Sequence, residues 1–268
     1  RSLIEKKVFL TFFLFLFGCV SSDQREYQLG KAEAENGNFP LAVSYFEKTI
    51  LRTPDGNFGV LSAREAAKIS FFEIKDFKKA AEFYKHLVLY SNDPTERIQS
   101  QKQLVLIYID QLVDYNKAVL EINKLLQMTL SSEEKIKYKI SLARSYYYQN
   151  NFEQAENEID EFLRTTLSPE QMFSMLMLKG NISLARKDLG KAVKIYKEII
   201  EKFGENAKKE NVGVTLALTY EEMKDYKNAI LTLEEVRKYH SVPEYIDLKI
   251  KKLQERQKNQ PGAKGYRK

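Results

Sequence analysis

Six alanines recur along this 268-residue chain at nearly constant intervals: Ala42, Ala80, Ala118, Ala155, Ala192 and Ala229, separated by 38, 38, 37, 37 and 37 residues. A fixed period of this length means a stack of like units, each too small to bury its own apolar face without a neighbour. Three residues before each alanine stands a large side chain: Phe39, Phe77, Tyr115, Phe152, Leu189 and Tyr226. Four residues after it stand Phe46, Tyr84, Ile122, Ile159, Tyr196 and Leu233, on the same helical face. The stripe continues seven residues after the alanine with Thr49, Leu87, Leu125, Phe162, Ile199 and Val236, where Thr49 is the one polar member. Each unit therefore reads as two antiparallel helices, with the alanine where the second crosses the first.

Turn chemistry falls where that reading needs it. Gly37-Asn38, Lys75-Asp76, Val113-Asp114, Asn150-Asn151, Lys187-Asp188 and Lys224-Asp225 each precede a second helix. Asp93-Pro94-Thr95-Glu96, Ser131-Ser132-Glu133-Glu134 and Ser168-Pro169-Glu170-Gln171 each place an oxygen acceptor at a helix start and Glu or Gln three residues on, the pattern of a capping box. With 11 glycines and 6 prolines in the whole chain, there is too little turn chemistry for a many-stranded sandwich or barrel.

The formal charge of +6 is unevenly placed. Residues 1–18 carry net +2 and residues 248–268 net +7, leaving the body at −3. A protein that grips nucleic acid carries its basic residues as a stripe on the folded face, so no nucleic-acid partner is expected. The histidines, His86 and His240, have no second ligand at metal-binding spacing. Gly190-Lys191 lacks the preceding glycine of a phosphate loop. The expectation is no catalytic residue, no metal, no cofactor and no small-molecule substrate.

At the N-terminus, Lys6-Lys7 precedes ten uncharged residues, Val8 to Phe17, and then Gly18-Cys19, which holds the one cysteine of the chain. A bilayer-spanning helix takes about 20 apolar residues, whereas the apolar region of a secretory signal needs about 7 to 15. Leu16-Phe17-Gly18-Cys19 resembles the lipobox of bacterial lipoproteins, which implies cleavage before Cys19, attachment of diacylglycerol to it and anchoring in a membrane. Val20-Ser21-Ser22 has no aspartate resembling an inner-membrane retention signal, so the periplasmic face of the outer membrane is the expected location.

The repeat pattern resembles the tetratricopeptide repeat, whose signature adds a small residue twelve before the alanine; here that position reads Gly30, Lys68, Leu106, Ala143, Gly180 and Ala217. The resemblance implies an all-α, right-handed superhelical solenoid of six helix-turn-helix repeats. They occupy about 24–58, 59–94, 95–131, 132–168, 169–205 and 206–242 within the mature 19–242, after a signal peptide at 1–18. A capping helix is expected over 243–258, with Tyr245, Leu248 and Leu253 covering the last apolar face, and a flexible basic tail over 259–268. The resemblance further implies a concave groove lined by first helices, in which Tyr27, Phe72, Ile107, Arg144, Tyr147 and Asn181 face a partner segment and Arg144 meets a carboxylate.

The expected function is a non-catalytic scaffold that docks other envelope proteins or peptides. The first unit, Asn36 to Lys48, is similar to lipoproteins that assist outer-membrane β-barrel assembly, and also to pilus-assembly pilotins and periplasmic coordinators of wall synthesis. A second reading gives the basic C-terminal tail, with Lys249, Lys251, Lys252 and Arg256 at its start, a role in touching anionic lipid or wall polymer.

Overall fold

The computed structural model describes residues 21–259, and all fourteen α-helices and two π-helical segments among them belong to two compact units that divide between Leu130 and Ser131. The first unit holds three helix-turn-helix repeats: α1 (Ser22–Glu35) with α2 (Phe39–Arg52), α3 (Asn57–Lys68) with α4 (Phe77–Tyr90), and α5 (Pro94–Leu106) with α6 (Tyr115–Leu126). The second holds α7 (Ser132–Tyr148) with α8 (Phe152–Phe162), and α9 (Pro169–Ala185) with α10 (Leu189–Lys202). Its last repeat has a first helix in two pieces, α11 (Gly204–Lys209) and α12 (Val212–Glu222), followed by α13 (Tyr226–Arg237) and a closing helix α14 (Pro243–Lys258). Within each unit consecutive helices pack on one another, so each is a short all-helical solenoid.

All six alanines are fully buried. The residues four beyond them are buried too, and Thr49, the polar exception, is fully buried with its hydroxyl donating to the Tyr45 carbonyl of its own helix at 3.3 Å. Helices can approach this closely only if the facing residue of the first helix is also small. A Cβ added to Gly30 would lie 2.6 Å from the Phe46 ring, and one added to Gly180 would lie 2.7 Å from the Tyr196 ring.

In the second and third repeats the residues twelve before the alanine, Lys68 and Leu106, depart from the small-residue signature and do not occupy this position. Both are exposed, and the buried residues at the crossing are their neighbours Ala67 and Val105. The reason is local. The first helices of the second and third repeats end in π-helical turns, Ile69–Glu73 and Ile107–Gln111, closed by hydrogen bonds from Ile74 N–H to Ile69 C=O and from Leu112 N–H to Ile107 C=O, five residues back. Each π turn absorbs one extra residue. From alanine to the next small residue the interval is a constant 25, and from small residue to alanine it is 12 in four repeats but 13 where the π turn occurs. The two 38-residue spacings are therefore two π insertions.

The intrarepeat turns share one conformation. Gly37, Lys75, Val113, Asn150, Lys187 and Lys224 all have positive φ, between 50° and 78°, and the next residue caps the second helix. Asp76, Asp114, Asp188 and Asp225 accept a hydrogen bond from the backbone N–H three residues on, whereas Asn38 and Asn151 do not. Val113 at φ 50° is a β-branched residue in left-handed backbone, a strained choice that the surrounding repeat holds in place.

Two of the three expected capping boxes form, at Ser131 with Glu134 and at Ser168 with Gln171. In the third, Asp93 caps Thr95, but Glu96 turns away to accept two bonds from the Arg64 guanidinium, at 2.5 and 3.0 Å, and one from the Ser91 hydroxyl at 2.6 Å. This joins α3 to α5 across a repeat boundary. At the C-terminal end, Ile246 and Leu253 are the buried residues of α14, while Tyr245 and Leu248 are about half exposed. The covering face thus runs through 246, 250 and 253 rather than through the expected Tyr245 and Leu248. Arg237 binds Asp247 and Arg256 binds Glu221, tying α14 to α13 and α12.

Gly180→Ala should cost about 1–3 kcal/mol of stability in chemical denaturation, because the added Cβ would crowd the fully buried Tyr196 ring. The Arg64 guanidinium beside Glu96 holds its carboxyl below the usual carboxylate range. That stabilisation is complete above the unfolded value of about 4.3 and fades as pH falls through the depressed folded value. Glu96→Gln should lower the melting temperature at pH 7 and flatten the acid side of a stability–pH curve; parallel curves for the two proteins would refute the coupling.

Candidate functional site

The first helices of the second unit present a continuous surface whose side chains repeat in register with the small residues. One position after each small residue stand Arg144 and Asn181, and four positions after stand Tyr147 and Leu184. Three of the residues expected to face a partner, Arg144, Tyr147 and Asn181, come together here in a depression of about 350 Å³, completed by Tyr148, Phe173, Ser174, Met177, Leu178 and Glu210.

Arg144 is exposed, and one guanidinium nitrogen donates to the Ser174 hydroxyl of α9 at 2.7 Å. Its other donors are unclaimed among the described residues. Tyr147 is half-buried between Tyr148, at 5.3 Å between ring centroids, and Phe152, at 5.9 Å. The Asn181 side chain accepts a 2.8 Å hydrogen bond from the hydroxyl of fully buried Tyr196. Burial pushes that phenol far above the usual tyrosine range, and its hydroxyl holds the Asn181 side-chain oxygen from beneath. A second depression of about 690 Å³ adjoins the first through Arg144 and Ser174 and is polar, with Glu133, Lys137 and Glu170 on its rim. The surface therefore grades from charged, through a guanidinium, to aromatic. Such a surface suits an extended segment carrying an acidic group beside an apolar one.

The other expected residues lie in the first unit. Ile107 is fully buried, so it offers no surface to a partner. The π turn moves the groove register back by one residue, and Leu106, 38% exposed, takes the place that Ile107 was assigned. Phe72 is shifted likewise: Phe71 holds the register position, while Phe72 is well exposed with its ring 4.8 Å from that of Phe71. Tyr27 is half-buried against Phe46 and Phe58. Cys19 lies outside the described residues.

Phe173 and Ser174 were not anticipated. Phe173 lies one helical turn before Met177 on the same face, so extending the groove pattern a turn toward the helix start would have reached it. Among the described residues no three His, Cys, Asp or Glu side chains come together to hold a metal, and no helix is long and apolar enough to cross a membrane.

Residues 140–207 and 214–241 match family profiles described as tetratricopeptide repeat. No curated protein sequence matches the chain significantly. Among solved structures, the C-terminal part of a TPR repeat-containing protein from Cytophaga hutchinsonii is similar at 17% identity and a TM-score of 0.56, over 90% of this chain and 91% of that one. The structure of Naa15/Naa10 bound to HypK-THB is similar at 15% identity and a TM-score of 0.55, over 88% of this chain and 39% of that one. At these identities the likeness is one of fold. The profiles mark tetratricopeptide repeats in residues 140–207 and 214–241, and the all-helical fold is that of a tetratricopeptide-repeat solenoid.

Proposed function

We propose that this chain is a non-catalytic docking scaffold of the bacterial envelope, held at the periplasmic face of the outer membrane by lipid on Cys19. Its partner is an envelope protein, engaged during the assembly of outer-membrane proteins or of another envelope complex, through an extended segment laid along the first helices of the second unit. The observation that carries this reading is the juxtaposition of Arg144 with the aromatic depression of Tyr147, Tyr148 and Phe173. An arginine with unclaimed donors can take a carboxylate with two parallel bonds, and an adjoining apolar hollow supplies the buried anchor that dominates affinity in most interfaces. The lipid anchor rests on Leu16-Phe17-Gly18-Cys19 and its likeness to a lipobox.

Crosslinking in cells, followed by identification of the captured proteins, tests the docking role. Arg144→Glu and Tyr148→Ala change exposed side chains, so melting should stay within about 0.5 kcal/mol of the parent. Capture of the partner should nonetheless fall roughly 30-fold, the effect of losing a hot spot worth about 2 kcal/mol. Equal capture by all three proteins would place the interface elsewhere. For the anchor, labelled palmitate should enter the parent chain, and Cys19→Ser should abolish the label and release the protein to the soluble periplasmic fraction. Label on the serine variant would overturn that assignment.

A further inference from the structure

Leu51 and Leu89 are the two most exposed large apolar side chains among the described residues, at 83% and 70%. A single leucine on a surface needs no explanation. These two, however, hold the same position in successive repeats, nine residues after Ala42 and Ala80, in the last turn of α2 and of α4. In the other four repeats that position is Gln127, Arg164, Glu201 and Lys238. The apolar choice is confined to the two repeats nearest Cys19.

Hydrogen bonds place both leucines at the edge of the first unit where the chain arrives from Cys19. The first turn of α1 is held to the end of α2: Arg52 donates to Asp23 and to Glu26, each at 3.2 Å, and the Thr53 hydroxyl donates to Asp23 at 3.2 Å. Leu51 directly precedes these two residues. The loop after α2 is held in turn to α4, where His86 Nε2 lies 2.7 Å from the Pro54 carbonyl oxygen. Leu89 stands three residues beyond His86, and half-exposed Tyr90, its ring 4.6 Å from that of His86, ends the helix. The start of α1, the end of α2 and the end of α4 therefore share one edge. Cys19 is two residues before Ser21, and two residues of chain reach at most about 7 Å. A lipid on Cys19 brings this edge within that reach of the bilayer.

The side chains on the edge suit the boundary between lipid and water. Leucine gains by leaving water, and tyrosine combines an apolar ring with a polar tip. Lys48 and Lys85, both exposed, stand one helical turn behind Leu51 and Leu89, and their apolar stems can lie along lipid while the ammonium groups stay wet. Exposed Asp55 and Asp93 lie on the same edge and offset these two lysines, so the leucines rather than charge carry the contact.

We propose that Leu51, Leu89 and Tyr90 dip into the bilayer surface beside the lipid and fix the orientation of the first unit on the membrane. A lipid alone is a swivelling tether; side chains from two repeats next to it turn one point of attachment into a line. The proposal rests on the anchor at Cys19 put forward above and is independent of the groove beside Arg144.

The chain has no tryptophan, so a single tryptophan reports its own surroundings. Leu51→Trp, Leu89→Trp and, as a control, Leu41→Trp, half-exposed and about 15 Å back along α2, are purified with their lipid and reconstituted in phosphatidylcholine vesicles carrying brominated acyl chains. Emission from positions 51 and 89 should shift to the blue and be quenched at least about twofold, in about 1 M salt as at low salt, since apolar insertion is not screened. Emission from position 41 should not change. Adding Leu89→Asp to Leu51→Trp should weaken the quenching while leaving the chain on the vesicles. A chain that fails to float with the vesicles would overturn the anchor and this proposal with it. Flotation with positions 51 and 89 no more quenched than position 41 would overturn the proposal alone.

Discussion

The closeness with which two helices cross inside each repeat is the constraint on which the rest depends. Every repeat places a fully buried alanine on its second helix, and the opposing position of the first helix is held to Gly, Ala or Val. Where that residue is glycine the ring at the next turn of the second helix is large, as in Gly30 with Phe46 and Gly180 with Tyr196; where it is Val105 the counterpart is Ile122. The volume at each crossing is shared between the partners, which is how a close-packed interior tolerates variation. Because the crossing sets which face of each first helix turns inward, it also sets which residues are left on the surface for a partner.

Much of the fold was legible because the signals of different range agreed. The alanine period, the aromatic residues on either side of it, the turn dipeptides and the caps at Ser131 and Ser168 all point to the same helix pairs. The phase of two first helices was not legible. A π turn adds one residue without changing composition or period noticeably, and from the sequence Ala67 and Lys68 are equally placed to be the small position. The cue lay in the spacing itself: 38 where the later repeats have 37. One residue rotates a helix by about 100°, enough to carry Ile107 from the surface to the core. Glu96 was misread for a different reason. A capping box is a local pattern, and the Arg64 guanidinium offered that carboxylate a stronger, charge-assisted partner from another helix.

In the second unit, where no π turn intervenes, the residues given by the same register arithmetic, Arg144, Tyr147 and Asn181, line one depression. What the arithmetic could not provide was the reach of side chains from the neighbouring helix. Ser174 holds the guanidinium of Arg144, Tyr196 holds the amide of Asn181 from beneath, and Phe173 closes the apolar end. Each of these supports comes from a different helix than the residue it orients. A linear pattern lists what one helix exposes; a binding surface is made by what adjacent helices do to those side chains.

Repetition also gives this chain its own internal standard. In most proteins a hollow between helices can be judged only against general packing density, but here the same junction is built several times with different side chains. In the second, third and fifth repeats the residue three after the alanine, Phe83, Glu121 or Ile195, is buried; in the sixth that residue is Thr232, and Val236 and the Tyr239 hydroxyl close over Gly213 of the first helix. The first helix of the sixth repeat is split at Asn211, in left-handed backbone at φ 53°, and Lys208 of α11 lies 5.8 Å from the ring of Tyr239, whose hydroxyl reaches over Gly213. Two departures from the repeat, one of volume and one of backbone, thus meet at one place, where Val236 and Tyr239 take the space that the small residue leaves.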